Sequence, residues 1–241
     1  MLRTQHRCLL MMTFALMLLP TQSEASGRCV ILLHGLARSH YSMAKLARDL
    51  QAHDYIVVNK DYPSRKKTIT DIAHQEIPLM VDDCLKHHPD SLYFVTHSMG
   101  GVVLRQYLQE HPLPIKRIKI VMLGPPNHGS PWVDFFQRVW LFKVITGPAG
   151  QQLTTGKTSI PNRLTLSLPY PVGIIAGSFS FFPFAKWFFH EPNDGKVAVS
   201  STQLAKMDDF VVLPVSHTFM MNNALVKAQI LHFFDHGKFN H

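Results

Sequence analysis

Six apolar, β-favouring runs, at 28–33, 55–59, 91–96, 115–123, 172–177 and 210–214, constrain the chain more than any other feature. Each is continuous rather than alternating, the pattern of strands buried on both faces. Amphipathic stretches separate them. Met43, Leu46, Ala47 and Leu50 form one apolar stripe, and Ile69, Ile72, Ala73, Ile77, Met80, Val81 and Leu85 form a second at spacings of three and four. Pro78 is expected to bend this second helix or to face outward. Residues 98–109 and 222–234 read as two further helices, the last ended by Gly237. Alternation of strand and helix implies an α/β fold: a mostly parallel six-stranded sheet with helices on both faces.

Two stretches break the alternation. Residues 131–169 and 178–193 are rich in aromatics and prolines where a single helix or a short loop is expected. Long connections of this kind inside one domain are usually lids or binding loops. The domain itself is expected to span 26–241. Residues 1–25 read as a cleaved secretory signal: Arg3 and Arg7 precede an apolar run over 8–19, and "SEA" at 23–25 offers the small residues Ser23 and Ala25 at the cleavage positions. That run is too short for a bilayer, which needs roughly 20 apolar residues. The expectation is export, to the periplasm or the medium.

Lys and Arg number 24 against 16 Asp and Glu, a formal charge of +8, and loss of the leader lowers it by one. Such a surface suits anionic partners or simply keeps an exported protein soluble. No basic run is interleaved with aromatics as a nucleic-acid groove requires, so nucleic acid is not an expected partner. Cys29 opens the first strand and Cys84 ends a helix leading into the third, which places both at the bottom edge of the sheet. They either pair, if the compartment is oxidising, or remain buried thiols. The 15 histidines are scattered and no cluster has metal-ligand spacing, so neither metal nor cofactor is expected.

Chemistry concentrates at Thr96-His97-Ser98-Met99-Gly100-Gly101, between a strand and a helix. A serine on such a turn is held in a strained conformation with its hydroxyl exposed, and small residues two before and two after relieve the crowding of strand against helix. Gly100 meets this demand, whereas Thr96 replaces the first glycine of G-x-S-x-G. A bland alternative is an ordinary Ser helix cap. Serine becomes a nucleophile only when a histidine takes its proton, and that histidine needs a carboxylate to orient it. Asp194, in "NDGKVAVSS", follows the fifth strand, and His217, in "VLPVSHTFMMNN", follows the sixth; both therefore lie at strand carboxyl ends. Asp208 and Asp209 are rival acids, but they precede the last strand. The N–H of Met99 and that of Leu36, in "LLHGLARS", are the expected oxyanion donors. His34 is expected to order this loop.

"LLHG", "THSMGG", "NDGKV" and "SHTFM", in this order and at these spacings, resemble bacterial lipases and esterases of the α/β-hydrolase superfamily. "MLGPPNHGSPWVD" resembles the loop after the fourth strand in those lipases. The resemblance covers the chain beyond the leader and implies a compact six-stranded version of the fold lacking its first two strands. It also implies a Ser98, Asp194, His217 triad, an oxyanion hole at Leu36 and Met99, and no cofactor.

The loop before Asp194 carries Phe179, Phe181, Phe182, Phe184, Trp187, Phe188 and Phe189. It is either a core extension or an acyl-chain wall, for which Phe181, Phe182 and Trp187 are the candidate substrate contacts. Trp132, Phe135, Phe136, Trp140, Leu141 and Phe142 would form the opposing wall. The expected partner is an apolar or lipid-like ester, met with transient contact at a membrane surface. A thioesterase or acyltransferase using the same triad, and a catalytically silent lipid- or envelope-binding module, remain alternatives. A peptidase is disfavoured because nothing resembles a charged specificity pocket.

Overall fold

Strands that are apolar along their whole length need cover on both sides, and the chain supplies it by alternating helices across the sheet. The computed structural model describes residues 27–241 apart from residue 166. The expected signal segment lies outside the described residues. The elements are β1 (Arg28–Leu33), α1 (Ala44–Gln51), β2 (Tyr55–Asn59), α2 (Ile69–Gln75), α3 (Ile77–Leu85), β3 (Ser91–His97), α4 (Met99–Glu110) and β4 (Arg117–Leu123). They continue as α5 (Pro131–Phe136), α6 (Trp140–Gln151), α7 (Ile160–Arg163), β5 (Val172–Gly177), α8 (Val199–Thr202), β6 (Asp209–Leu213) and α9 (Ala224–His236). All six strands are parallel, in the order β2-β1-β3-β4-β5-β6.

Successive residues of each strand serve opposite faces. Cys29, Ile31 and Leu33 of β1, Phe94 of β3 and Ile120 and Met122 of β4 pack with α2, α3 and α4. Val30, Leu32, Val95 and Val121 pack on the other side with α1 and α9. The inner strands β1, β3 and β5 are buried on both faces almost throughout, whereas the edge strands β2 and β6 are continuous in sequence yet partly exposed.

Element boundaries differ from the sequence expectation where pairing or capping decides them. The apolar stripe over 69–85 forms two helices. Thr68 and Asp71 cap α2 reciprocally, and Pro78 lies in the first turn of α3, where a missing N–H leaves no bond unmade. β4 begins at Arg117 because its partner β3 begins opposite it at Ser91. β6 ends at Leu213, opposite the end of β5 at Gly177. The last helix starts later than expected because the Asn223 side chain accepts from the N–H groups of Leu225 and Val226.

The stretch 131–169 carries α5, α6 and α7, with a non-helical Gly147 ahead of Pro148 dividing α6. It is tied to the sheet layer by Arg105 of α4, whose side chain is fully buried. The Arg105 guanidinium donates to the backbone oxygen and Oδ1 of Asn127 and to the carbonyls of Pro161, Leu164 and Thr165, at 3.1–3.2 Å. Burial lowers its pKa to about 10, so it remains a cation, its two terminal nitrogens paired with carbonyl dipoles while Nε has no partner among the described residues.

Cys29 and Cys84 are joined in a disulfide, with Cα atoms 5.9 Å apart, clamping β1 to α3. Their sequence separation is 55, and in the chain-entropy picture a loop of that size contributes about 4 kcal/mol. The double substitution Cys29→Ala/Cys84→Ala is expected to lower the urea unfolding free energy by about that amount. Two titratable thiols in the denatured, unreduced protein would contradict the crosslink.

Candidate active site

The carboxyl edge of the sheet is shaped by the turn from β3 into α4. Ser98 sits there at φ 54°, ψ −125°, a region that costs a non-glycine residue about 1–3 kcal/mol. Its N–H donates to the Leu123 carbonyl at 2.9 Å and its carbonyl accepts from the Gly101 N–H at 3.0 Å, so the turn is held from both sides. α4 then passes directly over the end of β1: a Cβ on Gly100 would lie 2.7 Å from the Leu33 carbonyl oxygen. The departure at Thr96 has a local answer. A Cβ on Gly101 would lie 3.2 Å from Thr96 Oγ1 and 2.9 Å from Pro125 Cβ, so the second glycine supplies the room that the first position gives up.

The structure brings Ser98, His217 and Asp194 into one hydrogen-bonded chain. His217 Nε2 is 2.9 Å from Ser98 Oγ, and Nδ1 is 2.7 Å from Asp194 Oδ2. A carboxylate only accepts, so Nδ1 carries the proton and Nε2 is left to accept from the serine hydroxyl. The other Asp194 oxygen accepts from the N–H groups of Lys196 and Val197, at 3.0 and 2.8 Å. The turn is further held by the Ser130 hydroxyl, which donates to the Lys196 carbonyl. His217 is anchored through its backbone, its N–H donating to the Asp194 carbonyl and its carbonyl accepting from His97 Nε2 at 2.9 Å. Gly124, at φ 52°, lies against the pair, and a Cβ there would come within 2.9 Å of Asp194 Oδ2. Asp208 and Asp209 lie at the opposite end of the strands. Asp208 accepts from the Val172 N–H and Asp209 from that of Phe239.

The loop after β1 faces this chain. His34 is buried, stacks on Tyr62 at 3.9 Å and accepts from the Tyr62 N–H at Nε2, which leaves Nδ1 to donate to the Gly35 carbonyl at 2.9 Å. Its ring therefore fixes the turn carrying Leu36. Among the described residues neither the Leu36 nor the Met99 N–H donates to a backbone carbonyl, so both are free for a developing oxyanion.

A cavity of about 200 Å³ opens at Ser98 and His217. Leu36, Trp132, Val133, Phe142, Ile145 and Leu153 line it with apolar side chains, and Arg38 and Lys196 are the cations of its lining. Phe181, Phe182 and Trp187, the expected substrate contacts, do not line this cavity and stand exposed. The reason is the 3₁₀ turn Pro183–Trp187, in which Ala185 and the following Phe189 point inward onto Ala198. Phe182 instead packs beside Trp132, ring centroids 5.9 Å apart, and next to Gly195. Of the expected opposing wall, Trp132 and Phe142 line the cavity. Sequence reasoning missed Arg38 and Lys196; a lone cation in a loop carries no sequence signal of what it faces.

A family model described as the alpha/beta hydrolase fold matches residues 28–144. No curated protein sequence matches the chain. Among solved structures, the mature form of lipase BlEst2 from Bacillus licheniformis is similar at TM-score 0.71 and 17% identity, over 88% of this chain and 92% of that one. Phospholipase PlaB from Legionella pneumophila is similar at TM-score 0.64 and 19% identity, over 79% and 53%. The metagenomic carboxyl esterase MGS0156 is similar at TM-score 0.59 and 17% identity, over 80% and 65%. Likeness at such identity is likeness of fold.

Two buried histidines brace the site uncharged. Burial, with repulsion from His217, holds His97 well below the ordinary 6.5, and burial lowers His34. The unfolded chain takes up these protons near 6.5 and the folded chain at lower pH, so folding stability is full above that pH and falls below it, at a slope that is at most about 1.4 kcal/mol per pH unit for each histidine and nearer that limit for His97. Urea unfolding of His97→Gln is expected to show a shallower loss of stability than the parent between about pH 6 and 5. Equal slopes in the two proteins would contradict this.

Proposed function

We propose that this chain, whose fold is that of the α/β hydrolases, hydrolyses carboxylic esters with apolar acyl chains through Ser98, His217 and Asp194. The observation that carries this reading is the 2.9 Å contact of Ser98 Oγ with His217 Nε2, continued at 2.7 Å to Asp194, at the mouth of an apolar cavity.

In the proposed reaction Ser98 Oγ attacks the ester carbonyl carbon while its proton passes to His217 Nε2. Asp194 stabilises the imidazolium, and the N–H groups of Leu36 and Met99 receive the oxyanion; each such donor is typically worth about 2.7–4 kcal/mol in the transition state. His217 returns the proton to the departing alcohol. A water, deprotonated by the same nitrogen, then releases the acid from the acyl-enzyme.

The acyl chain enters against Trp132, Val133 and Phe142. Trp140, Leu141, Phe181 and Trp187 are 73%, 55%, 63% and 67% exposed, and this apolar rim supports transient contact with a lipid surface. The disulfide supports the exported location expected from residues 1–25, since such bonds persist in oxidising compartments.

A p-nitrophenyl ester series tests the reading. Activity is expected to rise about three- to fourfold per added methylene until the cavity is filled, following the roughly 0.8 kcal/mol per buried methylene. Ser98→Ala is expected to lower kcat by on the order of 10⁶-fold. Hydrolysis that survives Ser98→Ala, or none with any chain length in folded protein, would overturn it.

A further inference from the structure

The lining of the cavity includes two cations, neither of which forms an ion pair among the described residues. Arg38 lies three residues beyond Gly35 in the loop that carries Leu36, and Lys196 lies two residues beyond Asp194; both line the cavity with Ser98 and His217. Lys196 is half-buried. Burial and repulsion from Arg38 lower its pKa, and Asp194 pulls in the other direction. An unpaired, partly desolvated ammonium beside a second cation is unfavourable in the free protein, and an anion at that place would relieve it.

A groove continues from this point. Arg38 is shared between the cavity and an adjoining groove of about 370 Å³, whose lining includes Arg65 and Lys66. The acid in that groove, Asp61, is already engaged, accepting from the His40 backbone N–H and contacting His40 Nδ1. A cationic groove thus adjoins the cavity at Arg38 and runs past α6, where a Cβ on Gly147 would meet the Arg65 carbonyl oxygen. One lining thus combines apolar side chains with two cations, the chemistry that the two halves of an anionic amphiphile require.

We propose that the cleft is built for an ester whose leaving group carries a phosphate, which Arg38 and Lys196 receive while the acyl chain lies against Trp132 and Phe142. This rests on the ester-hydrolase reading above. Acyl transfer to Ser98 Oγ breaks the bond between the carbonyl carbon and the leaving heteroatom. The phosphorylated leaving group takes its proton from His217, and the phosphate itself is not attacked. Two sources present this chemistry, a glycerophosphate lipid and a soluble acyl thioester of coenzyme A.

The test compares one acyl group, decanoyl, on three leaving groups: glycerol, glycerol 3-phosphate and coenzyme A, the two glycerol esters in the same neutral mixed micelles. The full-length chain is expected to favour a phosphate-bearing substrate over decanoylglycerol in kcat/KM by about tenfold or more, the lower end of what a charge-assisted hydrogen bond contributes. In Arg38→Gln and in Lys196→Gln that ratio is expected to fall by about tenfold. Preference for the glycerophosphate ester identifies a lipid headgroup, and preference for the thioester identifies a soluble substrate. A parent protein that turns over the neutral ester equally well, or a ratio unchanged in both variants, overturns the inference and leaves the hydrolase reading standing. No turnover of any of the three overturns both. The parent comparison does not depend on either variant folding.

Discussion

The backbone of Ser98 is the constraint around which the carboxyl edge of the sheet is organised. At φ 54° it turns the chain from β3 into α4 so sharply that α4 crosses the end of β1 at backbone contact distance, which only a glycine at position 100 allows. The strain persists because neighbours over-determine it. The Leu123 carbonyl and the Gly101 N–H grip the residue on either side, and strands buried on both faces leave no room for the turn to relax. The result is a hydroxyl presented above the sheet with an unpaired N–H at Met99 directly after it.

The remaining groups are placed by rigid partners of that turn. Asp194 is oriented by two backbone N–H groups in its own turn, and His217 by its backbone bonds to Asp194 and to the uncharged ring of His97. His34 does the same for the loop that carries Leu36. Each ring that braces the site is kept neutral by burial, and Arg38 and Lys196 stand beside it without an ion-pair partner among the described residues.

Much of this was legible in the sequence, for identifiable reasons. Unbroken apolar runs of this length favour buried strands, as β1, β3 and β5 are, and their order with the intervening stripes implies a parallel sheet; the edge strand β6 carries the same pattern although it is partly exposed. The order of Ser98, Asp194 and His217, each just past a strand, was legible because carboxyl ends of parallel strands converge; the structure brings the three together. Other features depend on geometry that no local pattern carries. Arg105 reads as a surface charge on a helix, yet it is fully buried among carbonyls contributed by two distant segments. The aromatics at 179–189 reveal apolarity but not direction, so Phe181 and Trp187 turn outward while Phe189 turns in. The split at Pro78 follows from a capping box at Thr68 and a proline in a first turn, each visible singly but outweighed by the continuous stripe.

The central claim is that the turn at Ser98 presents an activated nucleophile. Intact-mass analysis of folded protein after exposure to a fluorophosphonate tests it most directly. The account predicts a single adduct that maps to Ser98, is abolished by Ser98→Ala and is strongly slowed by His217→Ala. A folded protein that takes up no reagent, or takes it up at another residue, would contradict it.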